Sequence, residues 1–299
     1  MSITVHVPAT SANLGPGFDC LGLSLTLSNR ITLSEQETPL TIQISGEGAD
    51  WLPRDTHNLV WQAACKVFDL VGRWPVGVMM QLENRIPAGS GLGSSAAAVV
   101  GGLVAANALV KGGLTPETLL QLATEMEGHP DNVAPALFGG LTLINQTDTG
   151  LHLERIPLPP LQVVIVLPAF DLPTVQARAA LPRQIARQDA IFNIGRMGLL
   201  LRALPAGDYA KLRVAMQDRL HQPYRLPLVP GLAAAFAAAY TAGAAAVALS
   251  GAGPSLIAFA PVGHEQIGIA CAAAFAQAGL DSRTWVLYVD TAGTQICTE

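Results

Sequence analysis

Alternating hydrophobic and polar positions open the chain and predict a β-strand. Ile3, Val5 and Val7 fall on one face, and Thr4 and His6 on the other. A segment rich in Gly, Pro, Ser and Asn follows at 8–19 and predicts a loop. The same patterns predict further strands at 40–44, 76–82, 163–167, 256–260 and 285–289, and helices at 58–70, 96–110, 116–127, 184–203, 208–220 and 232–242.

The order of these elements favours an α+β fold. Strands and helices alternate without the steady βαβ rhythm of a doubly wound sheet. A chain of 299 residues is long enough for two domains. Three prolines within 157–160 favour a boundary between a domain of residues 1–160 and one of residues 161–299, with a tight turn as the alternative.

A glycine-rich loop stands between a predicted strand and the most apolar helix. Gly89, Gly91 and Gly93 alternate along it, and Ser94 and Ser95 lead into the helix. Glycines let backbone N–H groups approach an anion, and a helix start adds unpaired N–H groups and partial positive charge. The loop therefore predicts a phosphate site, although a flexible turn before a buried helix is the simpler structural interpretation.

Two familiar nucleotide loops do not fit these letters. A Walker A loop needs a lysine before its Ser or Thr, and the only lysines are Lys66, Lys111 and Lys211. The dinucleotide fingerprint needs glycine at its sixth position, where Ser94 stands. A phosphate here would be bound by backbone amides and hydroxyls.

Composition narrows the classes of function. Half the residues are apolar and 13% are charged, so the chain can bury a core without metal or disulfide support. A net charge of −5 disfavours nonspecific binding to nucleic acid. Four scattered cysteines, the lack of a signal-peptide pattern and an apolar stretch at 96–110 that is too short for a membrane span predict a cytoplasmic protein without a membrane partner.

Three motifs in order resemble the signatures of the GHMP kinases, the superfamily of galactokinase, homoserine kinase and mevalonate kinase. They are PATSANLGPGFD at 8–19, PAGSGLGSSAA at 87–97 and LSGAGP at 249–254. Within the superfamily, the sequence is most similar to the homoserine kinases, through VPATSANLGPGFD at 7–19, DNVAPA at 131–136 and QDRLHQPYR at 217–225. One departure is Ser90, where many members carry arginine.

This resemblance implies an architecture and a reaction. The fold would pair an N-terminal domain like the second domain of ribosomal protein S5 with a ferredoxin-like C-terminal domain, and the site would lie between them. The implied reaction phosphorylates the side-chain hydroxyl of L-homoserine with ATP and Mg²⁺. The resemblance also implies a cytoplasmic enzyme that in many members is a homodimer.

Nucleotide and metal residues follow from the matched motifs. Glu127 would hold Mg²⁺ together with Ser94 or Ser95, and Glu125 is the alternative carboxylate. Asn58 would contact adenine, although it could equally be a helix cap. The implied phosphate-binding segment is Pro87, Ala88, Gly89, Ser90, Gly91, Leu92, Gly93, Ser94, Ser95, Ala96 and Ala97.

The implied substrate residues suit an amino acid. Asp131 and Asn132 would bind the α-ammonium group, although an Asx turn also explains them. Arg178 and Arg225 would pair with the α-carboxylate, because guanidinium matches carboxylate geometry. His129 and Thr174 would add substrate contacts.

Two residues of the first loop would act on the reacting hydroxyl. Asn13 would orient it, and Asp19 would be a polar substrate contact or a base. If no protein base is used, catalysis would be mostly positioning and charge stabilisation.

Two other functions remain open at this point. A GHMP kinase for another alcohol, such as mevalonate, would need no partner for an ammonium group. A non-catalytic binding protein would be expected to lose the acid or a glycine of the loop, and both are present.

Overall fold

The computed structural model describes residues 1–148 and 150–297. Within them the strands are β1 (Ser2–Ala12), β2 (Leu21–Gln36), β3 (Leu40–Gly46), β4 (Gly77–Asn84), β5 (Leu141–Thr147), β6 (Gly150–Ile156), β7 (Gln162–Pro168), β8 (Ala246–Leu249), β9 (Leu256–Phe259), β10 (Ser282–Tyr288) and β11 (Gln295–Cys297).

The helices are α1 (Leu59–Val71), α2 (Ser94–Leu109), α3 (Pro116–Glu127), α4 (Val133–Phe138), α5 (Thr174–Ala179), α6 (Arg187–Ala203), α7 (Tyr209–Ala215), α8 (Gln222–Arg225), α9 (Leu232–Thr241) and α10 (His264–Gln277). A 3₁₀ turn, Leu226–Leu228, follows α8. Among the described residues, none of the helices has the length and hydropathy that crossing a bilayer requires.

Two sheets organise these elements, which makes the fold α+β as predicted. The first runs in the order β11-β1-β2-β4-β3, with β5 and β6 continuing from β2. The second runs β10-β7-β9-β8 and is antiparallel throughout. The prolines of 157–160 lie between β6 of the first sheet and β7 of the second. Strand β11 returns to the first sheet by pairing with β1, so residues 161–299 also contribute to that sheet.

Helix α2 lies at the centre of the first core. It packs against α1 and against β1 and β2 of the sheet, and most of its length is buried. A Cβ on Gly102 would lie 2.4 Å from the carbonyl oxygen of Val60, so glycine permits α2 to approach α1 this closely. This packing holds the start of α2 rigidly at the edge of the core.

Local sequence signals account for the ends of the helices beside α2. The Asn58 side chain caps α1 by accepting a 3.0 Å hydrogen bond from the Val60 N–H. Thr115 caps α3, Pro116 occupies its first turn, and Gly128 ends it in the left-handed conformation. The predicted boundaries of α3 are confirmed.

Other elements differ from the prediction in length, and several were not predicted. Strand β1 extends to Ala12, so it includes the first part of the predicted loop, because that part pairs with β2 and is buried. The helix predicted over 208–220 ends at Ala215, and the next segment is held by hydrogen bonds to Asp218. The sequence reasoning did not predict β2, β5, β6, β8, β11, α4, α5, α8 or α10.

Candidate active site

A cavity of about 400 Å³ opens where the three motifs meet. Its wall includes Asn13, Leu59, Gly89, Ser90, Gly91, Gly93, Ser94, Ser95, Ala96, Met126, Glu127, His129, Asp131, Asn132, Thr174, Arg178, Arg225, Gly251 and Ala252. A second cavity of about 240 Å³ shares Leu59, Gly89, Ser94 and Ser95 with it. The two spaces therefore meet at the glycine-rich loop and the start of α2.

The glycine-rich loop has the geometry of an anion cradle. Gly89, Gly91 and Gly93 all have φ between 66° and 78°, in the left-handed region that favours glycine. Gly93 is the N-cap of α2, and no side chain caps that helix. The first N–H groups of α2 are thus left available to a ligand in the cavity.

The three motifs hold one another in place. The Ser250 hydroxyl donates a 2.7 Å hydrogen bond to the Gly91 carbonyl and also bonds the Ser11 hydroxyl at 2.9 Å. The Gly251 N–H donates to the Ala12 carbonyl at 3.0 Å. The third motif therefore packs against the glycine-rich loop.

Three members of the implied phosphate-binding segment do not present their side chains to either cavity. Leu92 and Ala97 are completely buried in the core, and Pro87 is also buried. The Ser90 hydroxyl donates to the Pro87 carbonyl at 2.6 Å, so it braces the loop. For Leu92 and Ala97 a contact with the cofactor stays a prediction for the backbone alone, since an apolar side chain that faces the core cannot also face the nucleotide.

Glu127, and not Glu125, faces the cavity. The Ser95 hydroxyl donates a 2.5 Å hydrogen bond to a carboxylate oxygen of Glu127. Glu125 is exposed and accepts a hydrogen bond from Gln121 on its own helix. Burial raises the pKa of Glu127, because the charged form loses hydration. A partly buried carboxylate beside a hydroxyl at the start of α2 is an arrangement that a cation would stabilise.

Asp131 is a second carboxylate on the same cavity, and it is only 2% exposed. His129 Nδ1 lies 3.1 Å from its carboxylate, and this hydrogen bond is the main cause of the raised pKa of His129. The Thr10 hydroxyl donates to Asn132 Oδ1 at 2.9 Å, which leaves the Asn132 N–H₂ group to face the cavity. The loop after α3 therefore offers one anion and one amide donor side by side.

Asp19 and Arg178 form an ion pair with each other. Two guanidinium nitrogens of Arg178 bond the two carboxylate oxygens of Asp19 at 2.8 and 3.1 Å. Arg178 and Thr174 of α5 line the cavity, but Asp19 is not part of its wall. A role for Asp19 as base or substrate contact is not supported in this arrangement, because its oxygens are already committed to a cation. The guanidinium of Arg178 is likewise already partnered.

Arg225 differs from Arg178 in its burial and in its hydrogen-bond partners. Its side chain is among the largest fully buried ones, at 1% exposure, yet it forms part of the cavity wall. Its Nε donates to the Ala177 carbonyl at 3.2 Å, and its Nη1 lies 3.4 Å from the Gly251 carbonyl. Within the described part of the chain, no carboxylate lies within 4 Å of it. Burial lowers its pKa to about 10, and Arg178 adds repulsion. An anionic ligand in the cavity would relieve this penalty.

Two asparagines predicted to contact ligands are also structural. Asn13 donates to the Gly251 carbonyl at 2.7 Å and accepts from the Asp19 N–H at 3.0 Å, while still lining the cavity. Asn58 caps α1 and donates to the Pro53 carbonyl, and it lines the smaller cavity with Ala88. The side-chain amides of Asn13 and Asn58 thus hold loops in place, and each residue also lines a cavity that could hold a ligand.

Several residues of the site were missed by the sequence reasoning. Leu52 and Pro53 help form the smaller cavity, from a turn-rich loop that no motif marks. Phe18 and His221 lie behind Arg225, stacked with ring centroids 5.1 Å apart. His221 falls inside the segment QDRLHQPYR, so its place in a matched motif was the one available signal.

Comparison with known proteins places these features in a family. The GHMP kinases N terminal domain matches residues 58–140, and the GHMP kinases C terminal domain matches residues 200–276. The homoserine kinase of Moorella thermoacetica is 49% identical over 277 residues, which cover 92% of this chain and 93% of that protein. The homoserine kinase of Carboxydothermus hydrogenoformans is 44% identical over 94% of this chain and 92% of its own.

A solved structure agrees with the sequence relatives. The crystal structure of homoserine kinase from Cytophaga hutchinsonii is 33% identical and superposes with a TM-score of 0.90. It covers 99% of this chain and 97% of its own chain. The likeness therefore extends over both sheets and the cavity between the motifs.

Proposed function

The chain belongs to the homoserine kinase family of the GHMP kinases, and from this premise we propose that it transfers the γ-phosphate of ATP to the side-chain hydroxyl of L-homoserine. The products are O-phospho-L-homoserine and ADP. The observation that carries the proposal is the charge pattern of one cavity: the buried Arg225 without a protein carboxylate, the buried Asp131, and the glycine-rich loop.

The charge pattern suits a zwitterion. The carboxylate of Asp131 binds the α-ammonium group, with Asn132 beside it. Arg225 binds the α-carboxylate, because its guanidinium still has donor capacity. Mevalonate carries a carboxylate but no ammonium group, so it would give the Asp131 carboxylate no cationic partner beyond His129. The amino acid is therefore the better match.

The nucleotide fits the other side of the glycine-rich loop. The smaller cavity has an apolar wall that includes Leu52, Pro53 and Leu59, which suits a flat base. Asn58 and Ala88 lie on the same wall. The phosphates would then follow the loop to the uncapped start of α2.

Glu127 and Ser95 fit a magnesium ion. Mg²⁺ in kinases keeps several waters and takes one or two protein ligands together with substrate phosphates, so it needs no protein cage. Among the described residues, no group of three His, Cys, Asp or Glu side chains forms such a cage. When bound, the ion neutralises charge on the transferring phosphate. Glu127 is held for this task by its 2.5 Å bond to Ser95, and Ser94 offers a second hydroxyl at the cavity wall.

Among the residues that the structure describes, neither Asp19 nor His129 is a free base for the hydroxyl proton. Asp19 is paired with Arg178, and the hydrogen bond that His129 donates to the Asp131 carboxylate raises the pKa of His129, which favours its protonated form. In our proposal the hydroxyl oxygen forms a bond to Pγ, the bond from Pγ to the ADP oxygen breaks, and the hydroxyl proton passes to an oxygen of the transferred phosphoryl group. Rate enhancement then comes from positioning and from the loop amides.

The remaining expectations stay predictions. A cytoplasmic location is compatible with four free cysteines. A homodimer follows from the family resemblance alone. Nucleic acid and membrane are not expected as partners.

The test is ADP release with ATP and Mg²⁺ across L-homoserine, L-threonine, mevalonate and galactose. We expect a strong, magnesium-dependent signal with L-homoserine and at most a weak one with the others. A stronger signal with mevalonate or galactose would keep the superfamily and overturn the substrate. The matched variants are Arg225→Met, which removes the unpaired cation, and Arg219→Met, which removes a surface cation paired with Asp189. Only the first is expected to raise the KM for L-homoserine.

A further inference from the structure

His221 is completely enclosed directly behind the cavity. Its side chain has 0% exposure, and it stacks on Phe18. Its Nε2 lies 2.8 Å from the Gly15 carbonyl oxygen. Its Nδ1 lies 3.3 Å from Nη1 of Arg225. Both ring nitrogens therefore have a partner whose hydrogen-bonding role is fixed.

The two partners specify the protonation of the ring. A carbonyl oxygen can only accept, so Nε2 must carry a hydrogen. A guanidinium can only donate, so Nδ1 must be the bare acceptor. A doubly protonated ring would set an N–H of His221 against an N–H of Arg225. The neutral Nε2–H tautomer is the one form that satisfies both contacts.

The other charged groups around the ring are compatible with this form. Asp218 lies 3.5 Å from Nε2, but its oxygens accept from the backbone N–H groups of His221 and Gln222 and from the Asn193 amide. Burial lowers the pKa of His221, and the charge of Arg225 lowers it further, against the opposing effect of Asp218. The neutral ring is thus favoured by its surroundings as well as by its hydrogen bonds.

We propose that His221 is a positioning residue: its bare Nδ1 accepts from Nη1 of Arg225 and turns the guanidinium so that Nη2 faces the cavity for the substrate carboxylate. Within the described residues, Nη2 has no hydrogen-bond partner, whereas Nε and Nη1 are held by Ala177, Gly251 and His221. The charge of Arg225 lies over the Phe18 ring at 5.2 Å, so rotation away from the cavity is also limited by that ring. The inference rests on the proposed role of Arg225 in binding the α-carboxylate.

The segment that carries Arg225 explains why such a device is needed. Arg225 ends a four-residue helix, so the backbone of α8 is too short to fix a long side chain by itself. A guanidinium that could rotate would have to be ordered when the substrate binds, and this ordering costs affinity. The contact with His221 removes that cost before the substrate arrives, and it links Arg225 to the first motif through Gly15.

Two variants separate the two ring contacts. In His221→Asn the side-chain oxygen takes the place of Nδ1, so the acceptor for Arg225 remains and the bond to Gly15 is lost. In His221→Gln the longer amide reaches the Nε2 position, so the donor to Gly15 remains and the acceptor for Arg225 is lost. We expect the KM for L-homoserine to rise roughly tenfold or more in His221→Gln. The KM should stay within about threefold of wild type in His221→Asn, and the KM for ATP should change little in both.

The outcome is read in two independent ways. If both variants raise the KM for homoserine and for ATP alike, or if His221→Asn is the more damaged, the proposal is overturned and His221 is a structural residue only. Crystal structures of the two variants give a readout that does not need activity. Reorientation of the Arg225 guanidinium in His221→Gln, but not in His221→Asn, supports the inference, and an unmoved guanidinium in both overturns it. If the wild-type protein does not phosphorylate homoserine, the proposed function fails, while this structural comparison still decides the role of His221.

Discussion

Replacing Gly93 with alanine would damage the site through one added methyl group. A Cβ at Gly93 would lie 1.9 Å from the Thr10 hydroxyl and 3.2 Å from Asn132 Oδ1. Thr10 lies in β1 with 0% exposure, paired with Ser24 of β2, and its N–H donates to the Leu92 carbonyl at 3.0 Å, so its backbone has little room to move. The Thr10 hydroxyl would have to swing away, and its 2.9 Å hydrogen bond to Asn132 would be lost.

The expected loss of stability can be worked from these contacts. An alanine at φ +68° costs roughly 1–2 kcal/mol for the left-handed conformation. The lost hydrogen bond and the overpacking add about 1–3 kcal/mol. The total is about 2–5 kcal/mol in the free energy of unfolding. The matched control is Gly72→Ala, because Gly72 has φ +69° and open space where a Cβ would be added, so only the conformational cost of roughly 1–2 kcal/mol applies.

Activity should separate the two variants more sharply than stability. Gly93 is the N-cap of α2, so a shift of about 1 Å there displaces the loop amides and costs on the order of a hundredfold in kcat. Gly72 ends α1 away from the cavity and should leave kcat within about threefold. Urea unfolding and initial rates of ADP release measure both quantities. The reasoning would be refuted if Gly93→Ala lost no more stability than Gly72→Ala and kept its kcat.

Three further predictions concern the carboxylates. Glu127→Gln should raise the Mg²⁺ concentration for half-maximal activity by about tenfold or more, whereas Glu125→Gln should leave it unchanged, and a magnesium titration checks both. Since burial raises the pKa of Glu127 above 4.5, the stability that this carboxyl contributes in the absence of nucleotide is present below pH 4.5 and is lost as the pH rises through its folded value. Urea unfolding of both proteins from pH 4 to 7 should therefore show that the free energy of unfolding of the wild type falls relative to that of Glu127→Gln as the pH rises. A constant difference between the two free energies would contradict the pKa shift. Asp131→Asn should raise the KM for L-homoserine by at least about tenfold with little change in the KM for ATP, and an equal rise in both would count against the ammonium contact.

The elements that could be predicted from the sequence are those marked by local signals. The cap at Thr115 and the stop at Gly128 bound α3 by themselves, and the alternation of glycines before Ser94 marked the phosphate loop. Strand β2 was not predicted because it pairs with three strands: β1 along its length, β5 at its start and β4 at its end. Its pattern of buried positions is therefore set by tertiary contacts and not by a simple alternation.

Which charged side chains of the site pair with each other could not be predicted from the sequence, for a similar reason. The local sequence does not distinguish the roles of Arg178 and Arg225. The carboxylate that pairs with Arg178 belongs to Asp19, 159 positions away along the chain. The fold brings that carboxylate to one arginine and a neutral imidazole to the other. Which arginine is left for a ligand thus depends on packing between distant segments. The side of α3 that faces the cavity is likewise set by packing, and it carries Glu127 and not Glu125.

The central claim is tested most directly by identifying the product. The purified protein is incubated with ATP, Mg²⁺ and L-homoserine, and the mixture is followed by ³¹P NMR and mass spectrometry. The account predicts one new phosphate monoester, coupled to the side-chain methylene protons of homoserine and formed in equal amount to ADP. Release of inorganic phosphate without that ester, or phosphate on the carboxyl group, would contradict it.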